Sequence, residues 1–404
     1  MAKELPQRNE ISDDYKWHLE DIYESDDNWE EDFIRTKDLL KKAGEYQGSL
    51  VSSAEKLSSG LNLIINIQEI TGRLYSYAHM RKDEDTGNQK NQALYNRVQG
   101  LFNEVNSVVS FMVPEILTLS REKIEGFLTE RDDLKVYQHL LDNIMRQKKH
   151  YLSVAEEKIL AMAGDVVQGP DNTFSMLNDA DLVFPTIKDE NGEDVRVTHG
   201  RFIGFMQNHE RQVRRDAFKA LYSKYNEFSN TFASTLQSSV KGDIFYARSR
   251  KYNSALEAAL DDDNVPVDVY ENLIVTVKKN IDAMHRYISL RKDILALDEL
   301  HMYDIYTPLV PELDIKVPFN QAKEMVVEGL SPLGEEYLEN LKKGFENNWI
   351  DVYENKGKRS GAYSSGCYGV HPYVLLNYTE NLDNVFTLAH EIGHALHTYY
   401  SNEN

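Results

Sequence analysis

One five-residue segment near the end of the 404-residue chain combines the residue types that hold a metal ion and activate water. It reads His390-Glu391-Ile392-Gly393-His394, which is the HExxH pattern. An α-helix turns about 100° per residue, so the two histidines lie about 40° apart and one turn along the axis, and both can reach one ion. Glu391 lies about 60° beyond His394, where its carboxylate can hold and deprotonate a water molecule. The spacing predicts one Zn²⁺ ion on His390 and His394, with Glu391 as general base.

The residues around this segment predict a helix that buries the face opposite the histidines. Six apolar residues fall between about 140° and 260° from His390 around the helix, namely Val385, Leu388, Ala389, Ile392, Ala395 and Leu396. This stripe argues against the alternative of a helix with two ordinary surface histidines. We expect Asp383 to cap the helix. Gly393 costs about 1 kcal/mol relative to alanine, and we expect it to mark the close approach of another backbone. His397 lies near the histidine face but two turns from His390, which favours a supporting or packing role.

Most of the remaining chain predicts helices, because glycine and proline are sparse, at 21 and 10 residues, and apolar residues recur at helical spacing. One apolar face consists of Leu57, Leu61, Ile64, Ile67 and Leu74, and a second of Leu94, Val98, Leu101, Val105 and Val108. These faces predict an antiparallel helical bundle over residues 1–112. A second helical segment over 113–199 ends in a β-hairpin, since Asn191-Gly192 suits a type I′ turn between two apolar runs. Residues 200–404 form the third region, in which 371–378 predict a short strand and 267–297 a long helix.

Composition limits the classes of partner. Lys and Arg total 45 against 66 Asp and Glu, so the net charge is −21, and such a surface repels nucleic acid and anionic membranes. The N-terminus lacks the apolar stretch of a signal peptide, and no apolar run approaches the roughly 18 residues that span a bilayer. The single cysteine, Cys367, excludes an internal disulfide and fits a reducing compartment. We therefore expect a cytoplasmic protein.

Several stretches of the sequence resemble the oligoendopeptidase F branch of the thimet-oligopeptidase-like zinc peptidases. The specific ones lie around the HExxH pattern, and two upstream stretches support them. They are KRSGAYS at 358–364, PYVLLNY at 372–378, LDNVFTLAHEIGHALH at 382–397, FSMLN at 174–178 and DEDT at 83–86. The resemblance covers essentially the whole chain.

The resemblance implies a mainly α, elongated, two-lobed zincin-type peptidase with a deep cleft and a small β element near the active site. It implies zinc held by His390, His394 and a glutamate on a later helix, which we expect beyond Asn404, so that residues 200–404 are an incomplete catalytic domain. It also implies that the strand at 371–378 lines the cleft and pairs with the peptide backbone. The expected activity is hydrolysis of internal bonds in short peptides.

Two other functions stay open on the sequence alone. Because two histidines without a third ligand hold zinc weakly, the chain could be a non-catalytic helical module that binds peptides or a partner protein. A carboxypeptidase or dipeptidase could also use the HExxH pattern, although the sequence does not show which Arg or Lys would bind the charged terminus of a substrate. The oligomeric state is not predicted.

Overall fold

A computed structural model describes residues 6–310, 316–359 and 361–403 of the chain. Its contacts form two compact units, one from Met1–Met145 with Asp314–Asn404 and the other from Arg146–Leu313. The described residues are mostly helical with a few short strands, so the prediction of a mainly α fold is confirmed. The three regions predicted with boundaries at 112/113 and 199/200 stay predictions.

The helices and strands are as follows in chain order. The α-helices before the first strand are α1 (Asp26–Gly44), α2 (Ala54–Glu84), α3 (Gln89–Val109), α4 (Met112–Ile116), α5 (Arg121–Glu130), α6 (Gln138–Arg146), α7 (Val154–Val167) and α8 (Gly169–Ser175). Next come β1 (Thr186–Lys188), β2 (Asp194–Arg196), α9 (His199–Gln207), α10 (Arg211–Glu227), α11 (Ser229–Ser249), α12 (Ala255–Asp261) and α13 (Val267–Ile294). The chain ends with α14 (Phe319–Gly329), α15 (Glu335–Glu346), β3 (Ile350–Asp351), β4 (Tyr363–Ser365), β5 (Tyr373–Leu375) and α16 (Leu382–Ser401).

The first unit is built on a helical bundle of α1, α2 and α3. Both apolar faces predicted from the sequence lie in its core, which contains Leu61, Ile64 and Leu74 of α2 with Val98 and Leu101 of α3, and only Val108 is half-buried. The predicted bundle is therefore confirmed for these helices. Spacing was sufficient here, because each helix presents one apolar stripe and neighbouring helices bury it.

A three-stranded sheet lies between this bundle and α16, in the order β3-β5-β4. Side chains alternate across a strand, and β5 uses both faces. Tyr373 and Leu375 belong to the core of the bundle, whereas Val374 and Leu376 belong to the core that contains α14, α15 and α16. The sheet thereby joins the helix that carries HExxH to the rest of this unit.

The second unit contains the predicted hairpin. Strands β1 and β2 pair antiparallel, with Ile187 opposite Val195, so the hairpin is confirmed. The type I′ turn is wrong, because such a turn needs positive φ at both central residues. Of Asn191 and Gly192 only Gly192 has it, with φ of 78°, and five residues, 189–193, join the strands. None of the helices within the described ranges has the length and hydropathy needed to cross a bilayer.

Candidate active site

Helix α16 carries the HExxH segment at its centre. Its N-cap is Asn381, whose side chain accepts the backbone N–H of Asn384 at 2.8 Å. The prediction that Asp383 caps the helix is wrong, because the helix already begins at Leu382 and Asp383 lies in its first turn. Asp383 can still favour this end electrostatically, since an acidic group near a helix N-terminus complements the helix dipole.

The face of α16 opposite the histidines is buried, as the apolar stripe predicted. Leu388, Ile392 and Ala395 are fully buried in a core shared with β5, α14 and α15. His390 and His394 lie on the exposed side. The expectation for Gly393 is wrong, because a Cβ atom there would meet no atom of the described chain within 4 Å.

The two histidines converge on one point. Their Nε2 atoms lie 3.1 Å apart, and the ring planes cross at 84°. Two nitrogen ligands of a tetrahedral zinc ion, each about 2.0–2.1 Å from the metal, are separated by about 3.3 Å. The pair therefore fits a zinc ion between its Nε2 atoms. Within residues 6–310, 316–359 and 361–403, no group of three or more His, Cys, Asp or Glu side chains could hold a metal.

A cleft of about 420 Å³ runs beside this pair. Its walls come from β4, the residue before it and α16, and they consist of Ala362, Tyr363, Ser364, Glu391, His394, His397 and Thr398. Glu391 lines the cleft and is only 9% exposed. His397 is exposed and shares the cleft with His394, so its ring can touch a bound molecule, and its supporting or packing role stays a prediction.

The free edge of the sheet opens onto this cleft. The backbone N–H groups of Val374 and Leu376 donate towards β3, to the carbonyls of Trp349 and Asp351. Backbone groups of successive strand residues point in opposite directions. The N–H and C=O groups of Tyr373 and Leu375 in β5 therefore point towards β4, where these residues pair with Ser365 and Tyr363. Between that pair, Ser364 must point its own N–H and C=O away from the sheet.

This topology corrects the expectation for the strand at 371–378. Its regular part, β5, is bonded to β3 on one side and to β4 on the other, so it has no edge for a peptide. Of the two edge strands, β3 and β4, it is β4 that borders the cleft. The residues after β5 do line a cavity, however, because Leu376, Asn377 and Tyr378 border a space of about 340 Å³ that shares Ala362 with the cleft. Strand β4 was not predicted from the sequence, because its three residues are too few to show strand periodicity. The stretch KRSGAYS at 358–364, which contains part of β4, supported only the family resemblance. Ser360 lies outside the described residues.

Comparisons with known proteins identify the family of the chain. Residues 204–404 match the family described as Peptidase family M3, and residues 115–184 match Oligopeptidase F. The chain is 40% identical over 405 residues to an oligoendopeptidase F homolog of Lactococcus lactis, and it covers 67% of that protein. The chain belongs to peptidase family M3. The resemblance to its oligoendopeptidase F branch is thereby confirmed.

Other relatives of the M3 family extend the comparison. Oligopeptidase PepF of Bacillus subtilis is 48% identical over 400 residues, which are 99% of this chain and 60% of that protein. The solved structure of oligoendopeptidase-F from Enterococcus faecium is 40% identical, with a TM-score of 0.66 over 79% of this chain and 60% of that one. A solved structure from Chlamydophila abortus is 35% identical, with a TM-score of 0.81 over 99% of this chain and 67% of that one. The chain thus spans about 60% of the length of the Bacillus subtilis relative.

Proposed function

We propose that this M3-family chain carries the zinc-binding and substrate-binding part of an endopeptidase that hydrolyses internal bonds of short peptides. The observation that carries the proposal is the convergence of His390 and His394, with Nε2 atoms 3.1 Å apart, on a helix whose Glu391 lines a cleft with a free strand edge. A cleft of about 420 Å³ has room for a few side chains, and a strand edge accepts an extended chain.

The residues divide the chemistry between them. His390 and His394 would hold Zn²⁺ through Nε2, and a third ligand stays a prediction. When bound, the ion polarises the scissile carbonyl and lowers the pKa of water to near 7. Glu391 accepts a proton from the attacking water and delivers it to the leaving amine as the C–N bond breaks. The proton is thereby returned, and Glu391 ends as the carboxylate that it was at the start.

Substrate binding follows from the orientation of β4. A peptide that adds to this edge accepts a hydrogen bond from the N–H of Ser364 and donates one to its carbonyl. Such bonds read main chain rather than side chains or termini. Recognition of the main chain supports cleavage at internal bonds. It does not give comparable support to a carboxypeptidase or dipeptidase function.

The test is peptide cleavage with short peptides that are blocked at both ends. We expect cleavage by the zinc-supplied chain, loss of cleavage on chelation, and a drop of at least about a hundredfold in kcat for Glu391→Gln. Glu403→Gln is the matched control, because Glu403 is an exposed glutamate near the end of α16, away from the cleft. Cleavage that survives both chelation and Glu391→Gln would refute the proposal.

A second candidate function is a peptide-binding module without catalysis. One observation favours it, namely that the described residues offer only two metal ligands together at this site. In that case the chain binds blocked peptides but does not cleave them at any zinc concentration. Tight one-to-one zinc binding with turnover by the same chain would exclude it.

The expected partners and location rest on composition. Short peptides are the proposed substrates, and the net charge of −21 argues against nucleic acid and anionic membranes as partners. The cytoplasmic location stays a prediction from the single cysteine.

A further inference from the structure

The DEDT stretch at the end of α2 has no role in the chemistry above, yet all four of its residues contact the segment that leads into β4. Asp83 is fully buried. Its Oδ2 accepts a hydrogen bond from the Tyr363 hydroxyl at 2.9 Å and one from Arg359 at 3.3 Å. Its backbone carbonyl accepts the N–H of Arg359 at 2.9 Å. Asp83 therefore holds this segment through both its side chain and its main chain.

The three residues after Asp83 extend the contact. The carbonyl of Glu84 accepts a hydrogen bond from the side chain of Asn355 at 3.1 Å. The N–H and hydroxyl of Thr86 both donate to the carbonyl of Gly357, at 2.7 and 2.9 Å. Gly357 has φ of +83°, and a Cβ atom there would overlap the carboxylate of Asp85. The end of α2 and the segment 355–359 are thus matched in shape.

Tyr363 connects this buried contact to the cleft. It is the first residue of β4, it lines the cleft with Glu391, and its hydroxyl reaches back to Asp83. Burial, together with the charge of Asp83, raises the pKa of Tyr363, so the phenol stays protonated and can donate. One end of the peptide-binding edge is therefore fastened to α2.

The buried carboxylate is only partly satisfied. His79 lies 3.3 Å from Oδ2, so three side chains meet this one oxygen. Oδ1 is buried with no hydrogen-bond partner within the described part of the chain. A buried charge with an unpaired oxygen destabilises a fold unless its partners compensate. Such a buried carboxylate is weak evidence for a role in stability, because a well-packed apolar pair is often as stable or more stable.

We propose that Asp83 is a positioning residue of the peptide site, which anchors Tyr363 and Arg359 and thereby holds the edge of β4 at the distance from Glu391 that a bound peptide needs. The proposal rests on the proposed function, because it assumes that a peptide binds along β4. It assigns the DEDT stretch to substrate binding, although Asp83 does not line the cleft.

The experiment measures peptide affinity rather than turnover. All proteins carry Glu391→Gln and one equivalent of Zn²⁺, and the probe is a short unstructured peptide with a fluorescent label. Tyr363→Phe is expected to raise the peptide Kd about tenfold, the size of one hydrogen bond to a charged group. Asp83→Asn keeps an acceptor oxygen but removes the charge, so it should raise the Kd by a smaller factor of about three. The double variant should lose little more than Tyr363→Phe alone, because both substitutions act on the same contact.

Tyr77→Phe is the matched control. Its hydroxyl also donates to a carboxylate at 2.9 Å, that of Asp26, and it lies on α2 as Asp83 does, but that hydrogen bond does not involve β4. This variant should keep the peptide Kd of the parent protein. Zinc affinity, measured by chelator competition, should stay within about twofold for every variant, because the effect of a distant hydrogen bond on His390 and His394 is small.

The outcomes separate the two proposals. If the parent protein binds no peptide, the proposed function falls and the role of Asp83 falls with it. If the parent binds but Tyr363→Phe and Asp83→Asn bind equally well, only the positioning role is overturned. Equal losses of affinity in Tyr77→Phe and Tyr363→Phe would also overturn it, because the effect would then be general destabilisation.

Discussion

The orientation of β4 makes opposite predictions for two adjacent serines. Ser364 turns its N–H away from the sheet, whereas Ser365 pairs with Tyr373. Proline has no N–H to donate, and it is tolerated on an edge strand where that N–H faces outward. Ser364→Pro should therefore fold and lose peptide binding, and Ser365→Pro should lose stability instead.

The magnitudes follow from the bonds removed. Ser364→Pro deletes one main-chain hydrogen bond to the peptide, worth about 1 kcal/mol or about fivefold in Kd, and the proline ring adds to the loss by filling the partner's place. Its unfolding free energy should change by about 1 kcal/mol or less. Ser365→Pro breaks the ladder and leaves the carbonyl of Tyr373, a fully buried residue, without its donor, which should cost about 2–4 kcal/mol.

The assay combines urea denaturation with peptide binding in the Glu391→Gln background. We expect the transition of Ser364→Pro to match that of the parent protein, with a Kd raised at least about fivefold. If Ser364→Pro unfolds early and Ser365→Pro does not, the assigned direction of the two N–H groups is wrong. If Ser364→Pro is stable and binds peptide normally, the edge of β4 is not the peptide site.

Three further predictions test the surroundings of the site and the second unit. Asn381→Ala should lower the unfolding free energy of the first unit by about 1 kcal/mol in urea, and Asp383→Ala by less, because only Asn381 caps α16. Although burial opposes the shift, hydrogen bonds from Arg211 and Arg214 lower the pKa of Asp304. The stabilisation from Asp304 should therefore be complete above the pKa of the unfolded chain and be lost as the pH falls through the lower pKa of the folded protein. Asp304→Asn should remove this pH dependence of the denaturation midpoint. Burial raises the pKa of the Cys367 thiol, so iodoacetamide should alkylate the folded protein more slowly than the urea-unfolded chain at the same pH; equal rates would contradict this.

Local sequence patterns were sufficient for helices α2, α3 and α16. The stripe of Leu388, Ile392 and Ala395 opposite the histidines, and the faces of α2 and α3, depend only on helical spacing and on the burial of apolar area. HExxH likewise specifies its own geometry, because residues four apart on a helix must lie on one side. The helical ends were less predictable, as Asn381 shows, because several polar residues near an N-terminus can each serve as the cap.

Contacts between residues far apart in the sequence could not be predicted from the sequence alone. Which of β4 and β5 offers a free edge depends on β3, a strand of two residues whose pairing no local pattern reveals. Asp83 and Tyr363 are 280 residues apart, and only the packing of α2 against the segment before β4 brings them together. Helical spacing is a property of neighbours along the chain and can be read from it, whereas strand order and a buried carboxylate's partners are set by contacts between distant segments, which form only in the folded protein.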